Sequence, residues 1–181
     1  DLLYFIRTKG TNPFSDGWRH LRFMFLYSPL YLFLLPGATM LILGLTLTIL
    51  LTLGPISING FKLDLHPMFL GALLTMLGAQ VIFFGFFAKG YAIKIGVTRS
   101  STFYKKIERV FTLERMLIIG AIIMLVGGGL AISIVYKWVS MNFGELFEIR
   151  KSLIALTLIV LGLQTIFSGF LSTTIFSEAA I

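Results

Sequence analysis

Few side chains in this 181-residue sequence have the type and spacing to do chemistry. Asp64 and His66 stand two residues apart, close enough to suggest an acid/base couple. They flank an apolar run, however, and read as an exposed pair at a membrane interface. The second histidine, His20, is far from His66, and the chain has no cysteine, so neither an imidazole cage nor thiolate chemistry can be assembled. There is no phosphate loop, no His-Glu-x-x-His, no Gly-x-Ser-x-Gly and no pair of nearby carboxylates in a loop. The sequence therefore predicts no catalytic residue and no metal ligand in this chain. What remains is cationic and amide chemistry: arginines and lysines that can hold phosphates, and two glutamines, Gln80 and Gln164, set in apolar runs.

The elements that carry these groups are membrane spans. Apolar residues make up 57% of the chain and charged ones 13%, with a mean hydropathy of +0.93. An average soluble domain is about 25% charged, so there is too little polar surface here to cover a water-exposed globule. Four runs are long enough to cross a hydrocarbon core about 30 Å thick: Pro29 to Leu53, Pro67 to Ala88, Met116 to Tyr136 and Ser152 to Phe176. Ser28-Pro29 reads as an N-cap and first helical residue, and Pro36 predicts a kink. Gly127, Gly128 and Gly129 would let another helix approach closely. No ionisable residue sits at the centre of a span, which weighs against proton pumps, ion-coupled transporters and voltage sensors.

Eleven of the fifteen cations fall on one side: Arg7, Lys9, Arg19 and Arg22 before the first span, and Lys89, Lys94, Arg99, Lys105, Lys106, Arg109 and Arg115 around the second loop. Short basic loops stay in the cytoplasm, so both termini are expected there, in a bacterial inner membrane. The net charge of +7 is thereby accounted for without nucleic acid.

Two amphipathic segments should lie in the cytoplasmic membrane surface. One covers residues 14–27, with Phe14, Trp18, Leu21 and Phe25 on one face. The other lies within residues 96–112, where Phe103, Ile107, Val110 and Phe111 oppose Lys105, Lys106, Glu108 and Arg109. These helices anchor the chain, and Arg19, Arg22, Lys105, Lys106 and Arg109 are candidates for holding a lipid phosphate, each cation being worth about 1 kcal/mol at an anionic surface.

Spans two and four share a phrase, Leu77-Gly78-Ala79-Gln80 through Phe86 and Leu161-Gly162-Leu163-Gln164 through Phe170, at an offset of 84 residues. Both copies run in the same direction. The fold class expected is thus all-α and integral to the membrane, with two transmembrane hairpins in parallel repeat, residues 28–95 and 113–181. Gln80 and Gln164 are expected to hydrogen-bond between helices.

The stretch Ser15-Asp16-Gly17-Trp18-Arg19-His20-Leu21-Arg22-Phe23-Met24, with Leu26-Tyr27-Ser28-Pro29 and Leu35-Pro36-Gly37 after it, resembles the junction between catalytic and membrane domains in bacterial family 2 glycosyltransferases related to dolichol-phosphate sugar synthases. Phe87-Ala88-Lys89, Leu113-Glu114-Arg115 and Gln164-Thr165-Ile166-Phe167-Ser168 are similar to later parts of that membrane domain. The resemblance implies transfer of a sugar from a nucleotide donor to a polyprenyl phosphate, with a preceding cytoplasmic α/β domain that carries an Asp-x-Asp motif and its divalent metal. This chain has no such motif. Residues 1–13 are read as a linker or the remnant of that domain, since the chain opens on Asp1 and not on methionine. On the same resemblance Arg7 and Lys9 would approach the substrate phosphates. The chain itself would hold no cofactor, and its partners would be membrane lipids, polyprenyl phosphate and either further copies or other membrane subunits. The alternative reading is a catalytically empty structural subunit that docks through its small-residue faces.

Overall fold

The computed structural model describes residues 17–18, 29–58, 61–109 and 111–176. Its elements, in chain order, are α1 (Pro29–Thr52), β1 (Ile56–Ile58), β2 (Phe61–Leu63), α2 (Leu65–Lys94), α3 (Thr102–Glu108), α4 (Leu113–Ser140) and α5 (Ile149–Phe176). α1, α2, α4 and α5 are each long and apolar enough to cross a membrane. The all-α expectation needs one correction, because β1 and β2 pair antiparallel with Ile56 opposite Leu63. Among the described residues the fold is mostly helical, with one two-stranded sheet at the end opposite the basic loop.

Backbone polar groups in a bilayer have no water to bond, so the helices satisfy their own. Buried hydroxyls mostly follow the same rule, Thr75, Thr157 and Thr165 donating to the carbonyls of Gly71, Leu153 and Leu161 at 2.7–2.8 Å, whereas the Thr48 hydroxyl has no partner among the described residues. α1 runs as one helix through Pro36.

Glycines set the helix contacts, since lipid supplies no hydrophobic drive between helices and close packing must do so. A Cβ added at Gly78 would lie 2.8 Å from the Gly37 carbonyl oxygen, and one at Gly44 2.6 Å from that of Gly71. The pairs 37/78 and 44/71 run in opposite senses, so α1 and α2 are antiparallel. α4 and α5 repeat the arrangement: Gly120 faces Gly162 and Gly127 faces Ala155, with added Cβ atoms 2.8 and 3.0 Å from the facing carbonyls. Of the three glycines expected to admit a helix, only Gly127 does so; Gly128 and Gly129 meet nothing within 4 Å.

α2 and α5 join the two antiparallel pairs. At the sheet end a buried cluster forms from Leu51, Met68, Ala72 and Leu153. At the basic end a second gathers Phe86, Phe87 and Tyr104, with Ile107, Phe111 and Ile175 packed against it.

Candidate functional site

The basic end is built by α3 and its connections. Ser101 caps α3, accepting a hydrogen bond from the Tyr104 backbone N–H at 3.2 Å. That fixes the helix start and turns Tyr104 onto α2. Its ring stacks on Phe86 with centroids 5.1 Å apart, and Phe111 stacks on the same Phe86 at 4.0 Å. At the other end of α3, Arg115 donates to the Arg109 carbonyl at 2.7 Å, and Ser172 of α5 donates to the Phe111 carbonyl at 2.8 Å. α3 is thus clamped across the ends of α2 and α5.

This packing differs from the expected surface helix in one respect. Ile107 and Phe111, expected to sink into the bilayer, pack instead against the protein's own aromatic cluster. The reason is Tyr104, a residue left out of the apolar stripe, whose ring draws the helix onto α2. The cations do face outward: Lys105, Lys106 and Arg109 are exposed. Arg19 and Arg22, with the segment 14–27 around the described helical pair Gly17 and Trp18, lie outside the described residues, as do Arg7 and Lys9.

Two polar groups at this end are buried. Lys89 is 9% exposed and its ammonium donates to Thr98 Oγ at 3.0 Å. Tyr104 is 1% exposed, and its hydroxyl has no hydrogen-bond partner among the described residues. Burial, followed by the nearby charge of Glu108, pushes the Tyr104 phenol well above its ordinary range and keeps it a donor.

Gln80 and Gln164 line one cleft between α2 and α5, of about 300 Å³. Phe83, Phe84 and Phe87 face Phe167, Ser168 and Leu171 across it. Gln80, Phe83, Phe84 and Phe87 have their counterparts, 84 positions on, in Gln164, Phe167, Ser168 and Leu171, while Val160 and Leu163 extend the α5 side alone. The two glutamines do not bond each other or any described residue, and the buried Gln164 Oε1 is without a partner.

At the sheet end, Arg150 of α5 donates to the Leu51 carbonyl and to the Asp64 carboxylate. Asp64 is therefore held by an arginine and not coupled to His66. Glu148 accepts from Lys137 and from Lys151, the latter at 3.1 Å. Those hydrogen bonds hold its carboxyl below the usual carboxylate range. Among the described residues no group of three or more His, Asp or Glu comes together.

Residues 86–175 match the C-terminal transmembrane region of glycosyltransferase family 2. Residues 86–175 are thus similar to a membrane region of the glycosyltransferase family 2 type. The family 2 match begins at Phe86, so it takes in the aromatic cluster, Lys89, all of α3 and both α4 and α5. The chain is also similar to the low-salt glycan biosynthesis hexosyltransferase Agl6 of the archaeon Haloferax volcanii, at 33% identity over 161 residues. That alignment covers 87% of this chain and 38% of the relative. No solved structure matches.

Proposed function

We propose that this chain anchors a glycosyltransferase in the membrane and presents a polyprenyl phosphate acceptor to a catalytic domain that draws sugar from a nucleotide donor. The observation that carries this reading is the outward-facing set Lys105, Lys106 and Arg109 on a helix clamped across the apolar spans. A phosphate held there stays at the headgroup level while its isoprenoid tail lies along the helices. Arg19 and Arg22 would extend the same basic surface, and Arg7 and Lys9 would reach substrate phosphates from the linker. A divalent metal, on this reading, belongs to the catalytic domain.

The charge asymmetry favours both termini on the cytoplasmic side. With an archaeal relative alongside the bacterial family resemblance, the membrane proposed is a prokaryotic cytoplasmic membrane. The glycine registers of α1/α2 and α4/α5, together with the 84-residue phrase, support two hairpins descended from one. The structural-subunit alternative keeps only part of its small-residue faces, because Gly37, Gly44, Gly78, Gly120 and Gly162 are consumed in contacts within the chain while Gly128 and Gly129 stay open.

The test is acceptor kinetics of the full-length protein carrying Lys105→Glu and Lys106→Glu. A raised KM for polyprenyl phosphate with an unchanged KM for the nucleotide sugar supports the reading, and unchanged acceptor kinetics removes it.

A further inference from the structure

Gln80 and Gln164 stand near the middle of their helices, Leu65–Lys94 and Ile149–Phe176, where a bilayer offers neither donors nor acceptors. Gln80 is exposed and lines the cleft between α2 and α5. Gln164 lines the same cleft, and its Oε1 is buried without a partner among the described residues. A polar group left unbonded in hydrocarbon is costly, so what covers this face should bring donors and acceptors of its own. An acyl or isoprenoid chain brings none.

The other spans make no such demand. The middle of α4, residues 122–132, is apolar or glycine throughout, so lipid covers it without loss. On α1, Thr39 and Thr46 donate to carbonyls of their own helix.

The apolar residues beside the two glutamines suit a helix. On α2, Leu73, Leu77 and Phe84 share a face with Gln80, at spacings of four, three and four, and are 38–53% exposed. On α5, Leu156, Leu163 and Phe167 form a similar stripe and are 40–65% exposed. That period is the one along which left-handed helix pairs interlock, and the cleft of about 300 Å³ has room to receive side chains.

A second copy of this chain is the partner whose polar groups match. Each glutamine amide both donates and accepts, and the two lie at one depth, on the two sides of one cleft. A two-fold axis along the membrane normal preserves depth and brings Gln80 of one copy to Gln164 of the other at two equivalent places. Two-fold contacts of this self-complementary kind are the commonest among homo-oligomers. We infer that two copies meet through the α2/α5 face about such an axis, each copy's Gln80 bonded to the other's Gln164. The inference is independent of the lipid-phosphate reading, whose cations lie on α3. Because the bonds run between copies, the unfolding of a single detergent-dispersed copy does not register their loss.

The experiment measures energy transfer between donor-labelled and acceptor-labelled copies of the full-length protein, in liposomes at high lipid dilution. The parent should associate. Gln80→Leu and Gln164→Leu each remove both pairs, and each should weaken association about tenfold or more, at roughly threefold or more for each membrane hydrogen bond. A mixed dimer of the two variants keeps one pair, so Gln80→Leu should associate with Gln164→Leu about threefold or more tighter than either does with itself. Leu125→Ala, on the exposed side of α4, should stay within about twofold of the parent. A parent that remains monomeric overturns the inference, whether or not it captures a different membrane protein. Both glutamine variants within about twofold of the parent overturn it as well. Mixed pairs no tighter than like pairs overturn the pairing of Gln80 with Gln164.

Discussion

Gln80 and Gln164, 84 residues apart, occupy equivalent positions on α2 and α5 and line the two sides of one cleft without bonding each other. An interhelical hydrogen bond between membrane glutamines contributes about 0.6–2 kcal/mol. That contribution is missing here, and Gln164 Oε1 is buried unsatisfied. Gln164→Leu should therefore leave stability unchanged or raise it by about 1 kcal/mol, as removal of an unpaired buried polar atom does. Thermal unfolding in detergent checks this, and a loss of about 1 kcal/mol or more would show a working glutamine bond.

Gly78 and Gly162 lie where helices touch backbone to backbone, whereas Gly128 and Gly129 face open space. Gly78→Leu or Gly162→Leu should cost about 1–3 kcal/mol or more through overpacking. Gly128→Ala and Gly129→Ala should instead stabilise α4 by up to about 1 kcal/mol each, through helix propensity. The same melting measurement separates the two classes, and equal losses at all four positions would contradict the packing described.

Much of this was legible in the sequence, and the exceptions have physical causes. The apolar runs located all four spans, but α2 extends from Leu65 to Lys94 and α4 from Leu113 to Ser140, past the apolar limits at both ends. Hydropathy marks where hydrocarbon ends, while a helix continues as long as its hydrogen-bond ladder can, through Lys89, Lys94 and Lys137. The small sheet was readable too: Asn59-Gly60 between Ile56–Ile58 and Phe61–Leu63 is a strong hairpin signal, overshadowed by the surrounding spans. The burial of Tyr104 was not legible. Only the clamp on α3, set by Ser101, Arg115 and Ser172, brings the tyrosine down onto α2.

Arg150 ties α5 to the last turn of α1 through the Leu51 carbonyl and to Asp64, just ahead of α2. The Asp64 side chain is 52% exposed, so solvent screens that ion pair to about 1 kcal/mol or less. Arg150→Met should cost more than Asp64→Asn, because it also removes the donor to a helix C-terminal carbonyl. Chemical or thermal unfolding of the two variants checks the order, and equal losses would show that the Leu51 contact is without effect.

Glu148 bonds to Lys137 and Lys151, which lowers its pKa in the folded protein. A carboxylate with a depressed folded pKa contributes stability above its unfolded value, and loses it as pH falls through the folded one. Melting temperatures of the parent and Glu148→Gln should differ by a constant amount near neutral pH and converge only well below the ordinary carboxylate value of 4.5. A difference that disappears already at pH 6 would contradict this linkage.

The most direct measurement is the KM of the full-length protein for polyprenyl phosphate with Lys105→Glu and Lys106→Glu in place. Replacing two cations by two anions beside a lipid phosphate, at about 1 kcal/mol for each unit of charge, predicts a rise of tenfold or more. The KM for the nucleotide sugar should stay within twofold. An unchanged acceptor KM would contradict the account of α3 as the surface that receives the lipid phosphate.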